Sequence, residues 1–325
     1  MKTLLALLLS ITIQISTYGQ YVKGSVVDKK TNSRIGYATV YFNGTFVGTS
    51  ADGDGNFKLN VSKNLSMPIT VSAIGYYSAT IEEYTTEKHL TVYLTPKSYE
   101  MQEVAVSAKS LERERKRNLA IFKDEFLGIS DNARKCEISN ERDITFNYES
   151  DDDTLKAFAS KPIIIENKSL GYKVTYYLDI FEYYKKSETT FFRGNIIFEE
   201  DTSANASKDE IYSRRKNTYL GSRTHFIKSL WADTLKFEGY NLRNPLNDTL
   251  NYKNIVVLDS NGNKFINYNN KIRVGYNIDA SYMTFLKDFV FIDSTGYFDP
   301  LGINWGGCMG NQRVADWLPY EYFPE

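Results

Sequence analysis

His89 and His225 are the only histidines in the chain of 325 residues, and Cys136 and Cys308 its only cysteines. That supply limits the chemistry. A His-x-x-x-His or His-Glu-x-x-His zinc pair cannot be formed, which excludes a zinc peptidase of that kind. A Ser or Cys nucleophile with a His base would have to be gathered from distant residues. The Gly-x-Ser-x-Gly elbow is absent, and Leu220-Gly221-Ser222-Arg223 is better explained as a helix end followed by a cap. His225 is the one weak candidate for a catalytic base, set against a helix-surface or buried, hydrogen-bonded histidine. Paired carboxylates for glycoside hydrolysis must stand about 5–10 Å apart, which no spacing in sequence establishes, and Asp151, Asp152 and Asp153 fit a solvated turn. Asp52, Asp54 and Asn56 alternate as calcium-loop ligands do. The places that should then hold Gly and Glu hold Phe57 and Lys63, so a glycine-rich hairpin is the better reading. The glycine-rich stretch 306–310 lacks the Lys-Ser/Thr of a phosphate loop and fits a tight turn. No catalytic set, cofactor site or metal site is expected from these residues.

The first nineteen residues predict the compartment. Lys2 precedes an apolar run over residues 4–15, and Thr17-Tyr18-Gly19 puts small residues around a larger one, the pattern of a secretory signal peptide cut between Gly19 and Gln20. Interruptions at Ser10, Thr12 and Gln14 make the run too short for a membrane anchor, which needs about 20 apolar residues. No cysteine stands near the cut to carry a lipid. The mature chain is thus expected to be exported to the periplasm, to an outer-membrane-associated site or to the exterior, as a soluble protein with no transmembrane segment. In an oxidising compartment Cys136 and Cys308 can bridge, tying the start of the second unit to its end, although two buried thiols fit the sequence equally well. With 39 Lys+Arg against 40 Asp+Glu, there is no electrostatic footprint for nucleic acid or anionic lipid.

The elements that must carry any site are mostly strands. Seven short runs lie in residues 20–105: 21–28, 37–43, 46–50, 57–61, 68–75, 76–82 and 89–95, separated by turn residues such as Asn43-Gly44 and the stretch 52–56. Alternation of Phe57, Leu59 and Val61 with polar neighbours predicts one buried face, and the regular spacing predicts an antiparallel sandwich. The ordered strings GSVVD, ATVYF, GTSADGDGNF, ITVSAIGY and LTVYL resemble the carboxypeptidase regulatory-like domain, a transthyretin-like sandwich at the N-termini of many exported Bacteroidota proteins. The resemblance implies a non-catalytic binding or folding module and carries no peptidase activity. Residues 101–108 (MQEVAVSA) are similar to the segment that leads into the plug of TonB-dependent receptors bearing this domain, but too little chain follows for a plug and barrel. The segment is then a last strand or linker, or a strand added to a partner.

Residues 106–325 predict an α+β unit, mostly β. Leu119, Phe122 and Phe126 predict an amphipathic helix over 110–127, and its mixed charges a solvated face. Strands follow over 144–148, 155–159, 163–166 and 172–184, the last returning in a hairpin from Thr189. Helices are expected over 210–220, ended by Gly221, and after Ser222; further β blocks cover 255–276 and 289–305. The strings NARKCEISN, PIIIENKSLGYKVTYYLDIF, YLGSRTHFIKSLW and DWLPYEYF are similar to a segment that follows the regulatory-like domain in exported Bacteroidota proteins, a likeness that implies no reaction. The 25 Tyr, 19 Phe and 3 Trp suit β surfaces, and no pair is spaced to single out a sugar platform.

The whole pattern predicts a mainly β, exported, non-catalytic cell-envelope binding or structural protein: a transthyretin/Ig-like sandwich followed by an α+β domain, with an envelope protein or glycan as partner. The alternative is a hydrolase acting on a polymer, its site unrecognised in the C-terminal domain.

Overall fold

Alternating apolar residues set the strands of the N-terminal unit. The computed structural model describes residues 20–64, 66–97, 108–202 and 206–324. The leader expected over 1–19 and, apart from its last residue, the segment expected over 101–108 lie outside them. Strands β1 (Tyr21–Asp28), β4 (Asn56–Asn60) and β7 (Leu90–Leu94) form one sheet in the order β4-β1-β7, while β2 (Thr39–Phe42), β3 (Gly48–Ser50), β5 (Ile69–Ser72) and β6 (Ala79–Ile81) form the other, ordered β3-β2-β5-β6. Val22, Val26, Phe57, Leu59 and Val92 from the first face Val40, Phe42, Ile69 and Val71 from the second, a single apolar layer between two sheets. All seven predicted strands are present. One pair departs from the antiparallel expectation: β1 and β7 run parallel, Gly24 opposite Leu90 and Asp28 opposite Leu94, because the chain crosses from the second sheet back to the first before forming β7.

The next helix, α1 (Ala108–Phe126), lays Phe122 and Phe126 onto a sheet of six strands: β8 (Cys136–Ile138), β9 (Ile144–Glu149), β10 (Thr154–Ala159), β11 (Ile163–Asn167), β12 (Tyr172–Tyr184) and β13 (Thr189–Glu200). The long β12 is the spine, pairing β13 along one edge and both β11 and β10 along the other. Phe122 meets Phe181 at 4.7 Å and Phe126 meets Tyr176 edge-on at 4.9 Å between ring centroids, so the two helix residues four apart dock one above the other.

Two helices, α2 (Lys208–Tyr219) and α3 (Arg223–Trp231), lead to a third core. Ser207 and Glu210 close a capping box on α2, and the Ser222 hydroxyl accepts the His225 N–H at the start of α3, as its place after Gly221 predicts. Phe226, Ile227 and Leu230 of α3 pack on five strands, β14 (Tyr240–Arg243), β15 (Thr249–Leu250), β18 (Ile272–Tyr276), β19 (Asp279–Phe285) and β21 (Ile303–Gly306), and on three, β16 (Val256–Leu258), β17 (Lys264–Ile266) and β20 (Val290–Ile292). Strands β8, β14, β15 and β19 escape the sequence reading. The first three have two to four residues each, and β19 (DASYMTF) opens on poor strand formers.

The tail over 313–324 runs across the first two cores and is tied to α3. Val314, Ala315 and Leu318 enter the second, and the Tyr320 ring packs on the first. Lys228 of α3 donates to the carbonyls of Tyr320 and Tyr322 at 3.0 and 2.8 Å, and burial lowers its ammonium to a pKa of about 8. Among the described residues no helix is long and apolar enough to cross a membrane.

Candidate functional site

Two donors and one carboxylate fix the setting of His225, the residue singled out by sequence. Its ring is buried, 3% exposed. The Gly221 N–H donates to Nδ1 at 3.1 Å and the Tyr240 hydroxyl lies 2.9 Å from the same nitrogen, so Nδ1 is the acceptor. Nε2 therefore carries the proton and donates to Glu238 Oε2 at 3.2 Å. The rings of Tyr219, Tyr240 and Tyr276 enclose it at centroid distances of 4.9, 5.1 and 5.6 Å. Gly221 holds a φ of 78° here, and a Cβ on it would stand 2.8 Å from the Tyr276 ring. Glycine thus serves twice, as helix stop and as lid over the imidazole. Nδ1 ties α3 to β14 through Tyr240, and Nε2 ties it to the segment before β14 through Glu238.

Burial lowers the His225 pKa from its ordinary 6.5, against the pull of Glu238. The unfolded chain then binds the proton more readily than the folded one as pH falls through 6.5 toward the folded value, so stability is full above that window and declines through it. His225→Gln, which cannot titrate, is expected to flatten this part of the stability profile while costing about 1–3 kcal/mol at neutral pH for the partners it leaves unmatched. Thermal melting of both proteins between about pH 5 and 8 measures it.

The surface above this buried cluster has two shallow clefts flanking the C-terminal end of α2. One, of about 290 Å³, is walled by Asn217, Tyr276, Asn277, Asp279, Cys308 and Gln312; the other, of about 600 Å³, by Asn132, Arg134, Lys135, Ser169, Arg214 and Asn217. Cys308 is an exposed free thiol on the first cleft. Cys136 is a free thiol packed against the second core, pushed up to about 12 by burial. The disulfide held open by the sequence is not formed in this structure: one thiol sits under the core around α1 and the other on the cleft surface.

The other predicted positions take structural places. Asp52 Oδ1 accepts the N–H groups of Asp54 and Asn56 at 3.0 and 2.8 Å, the self-bonding of a hairpin loop. Tyr148 donates to Asp153, which holds a φ of 51° in the β9–β10 turn. One pair was missed by sequence. The Ser25 hydroxyl lies 3.0 Å from His89 Nε2, a contact across the parallel β1–β7 pairing that no spacing announces. Ser25 is 1% exposed, and among the described residues no carboxylate is hydrogen-bonded to that imidazole, so the pair lacks both access and an orienting acid.

The sandwich carrying that pair has the strand order and turns set out above. Residues 22–106 match the CarboxypepD_reg-like domain. The resemblance drawn from the five strings is thereby borne out over the N-terminal unit. This CarboxypepD_reg-like domain is locked to the rest through the turn that follows β2. Gly44 N–H donates to Ile196 O at 2.8 Å, Phe198 N–H to Thr45 O at 3.0 Å, and Ile196 N–H to the Asn43 side chain at 2.7 Å, so the turn continues the edge of β13. Tyr320 N–H reaches Gly44 O at 2.9 Å and Glu321 accepts the Phe46 N–H at 3.0 Å, closing the contact with the tail. Asn43-Gly44 is a hairpin turn, as predicted, and also the domain's docking plug.

No curated protein matches the chain. A solved structure of a Bacteroides fragilis protein of unknown function, described as membrane-associated, aligns over 88% of this chain and 94% of its own at 10% identity, with a TM-score of 0.18, too low to bear on the fold.

Proposed function

We propose that the chain is an exported, non-catalytic cell-envelope component in which residues 20–105 and 106–325 work as one body that binds an envelope protein or glycan. The observation that carries this reading is the state of His225. His225, the candidate base singled out by sequence, is buried with both nitrogens committed to neighbours, and among the described residues no Ser, Thr or Cys is hydrogen-bonded to its ring. A CarboxypepD_reg-like domain points the same way, to a binding or structural module rather than an enzyme. The clefts flanking the end of α2 are lined by amides, hydroxyls and charged side chains, surfaces suited to contact. The leader over 1–19 supports export.

Affinity capture from envelope extracts with tagged residues 20–325 tests it. The expected result is a reproducible partner that also binds the purified protein directly. Recovery of no such partner contradicts the reading.

A further inference from the structure

The chain as a whole carries balanced charge, 39 Lys+Arg against 40 Asp+Glu, but one face of the CarboxypepD_reg-like domain does not. The sheet β3-β2-β5-β6 turns its outer face to the body, where the rings of Tyr41 and Tyr177 stack at 5.7 Å and Tyr177 donates to the Thr39 hydroxyl at 2.8 Å. The outer face of β4-β1-β7 stays open. Its register sets side chains in rows: Tyr21 lies opposite Asn60 and Lys23 opposite Lys58 on the β4 side, while Ser25 lies opposite Thr91 and Val27 opposite Tyr93 on the β7 side. Arg34, bridged antiparallel to Val27, joins the last row.

Those rows hold three cations, Lys23, Lys58 and Arg34, all exposed, and no carboxylate. Asp52, in the turn before β4, is the one acid bonded to a residue of the face among the described residues, through Asn56, and it leaves the balance positive. Lys23 and Lys58 stand directly across an antiparallel pair, where like charges repel and cost stability. Among the described residues none of the three cations has an ion pair, and Lys58 rests on the Tyr21 ring, its Nζ 4.0 Å from the centroid. An anion laid over the pair relieves the repulsion. Lys23 and Val27, which carry the two charged rows, are about 13 Å apart along the strand, so a ligand meeting both rows is an extended anionic chain and not one small ion.

The Tyr93 ring is 52% exposed on this face, and with the Thr91 hydroxyl and the Asn60 amide it gives the surface groups that suit a sugar: an aromatic plane for the C–H side of a pyranose and donors for its hydroxyls. Three cations on a chain of net charge −1 are too few for nucleic acid, which calls for a basic stripe. We propose that the outer face of the β4-β1-β7 sheet is a docking surface for an acidic polysaccharide, a chain of uronic acid residues whose carboxylates lie over Lys23, Lys58 and Arg34. This rests on the binding reading above and names its ligand class.

The test is titration calorimetry of purified residues 20–325 with hexamers of galacturonate and of mannuronate, against maltohexaose and poly-L-glutamate. At least one uronate hexamer is expected to bind, with maltohexaose silent and polyglutamate about tenfold weaker or more. Lys23→Glu sets opposite charges across the strand pair, so its melting midpoint should equal or exceed the parent's while uronate binding falls about tenfold or more. Tyr93→Ala removes an exposed ring and should weaken binding about tenfold at an unchanged midpoint. Silence from both hexamers, binding retained by Lys23→Glu, or maltohexaose or polyglutamate bound as tightly as uronate overturns the site. If envelope capture yields a protein partner while both hexamers are silent, this surface fails and the binding reading stands; if capture also fails, both fall.

Discussion

Replacing Lys97 with Met is expected to lower the unfolding free energy by about 3–5 kcal/mol, the usual cost of stranding one charge of a buried pair. Lys97 follows β7, and its Nζ lies 3.8 Å from Asp179 Oδ1 and donates to Leu178 O at 2.7 Å, with the two side chains 9% and 10% exposed. Asp179 sits at the irregularity in the β12–β13 register, and its Oδ1 has no hydrogen bond besides this ion pair. Burial pushes the carboxyl up and the ammonium down, and each partner opposes that shift in the other. With the ammonium gone, Asp179 gains more from protonating in the folded state than in the unfolded one. The deficit should therefore shrink as pH falls through the raised folded pKa. Lys97→Met with Asp179→Leu removes both charges and should recover most of the loss. Urea unfolding of the two variants measures this. A single variant as stable as the parent would show that the pair contributes nothing to holding the domain.

Gly44→Val is expected to cost about 3 kcal/mol and to loosen the CarboxypepD_reg-like domain from the body. Two effects add: a β-branched residue at a φ of 80° carries about 1–3 kcal/mol of strain, and overpacking adds a comparable amount. The clash is specific, since a Cβ at this position would meet the Tyr320 ring at 2.6 Å. Hydrogen exchange localises the effect. The Phe198 and Tyr320 amides, which donate to Thr45 and Gly44 carbonyls, should exchange faster, while amides of β1 paired with β4 keep their protection. Uniform acceleration across both sheets would mean that the turn supports the sandwich itself and not its docking.

These two contacts mark where the sequence stops being informative. Local signals carried far: Phe122 and Phe126 four apart gave the docking face of α1, the run 172–184 gave β12 to the residue, and Gly221-Ser222 gave both a helix stop and a cap. Asn43-Gly44 announced a turn, because positive φ is a local property. That the turn plugs the edge of β13 depends on residues about 150 positions away, and nothing in either string encodes the meeting. The same limit separates Lys97 from Asp179 and Ser25 from His89. His225 was legible as the residue to examine but not in its role, since its partners Tyr240 and Glu238 reach it only after β14 folds back on α3. The clefts were invisible for the opposite reason: Asn217, Asn277 and Asp279 are ordinary surface residues until α2 and the β18–β19 hairpin come to one place.

Whether the chain binds or breaks its target is decided most directly by incubating purified residues 20–325 with an insoluble envelope fraction, sedimenting it, and assaying both pellet and supernatant. The expected result is protein in the pellet and no soluble fragments released above the buffer control. Release of soluble fragments that disappears with His225→Gln, under conditions where that variant remains folded, would contradict a non-catalytic role.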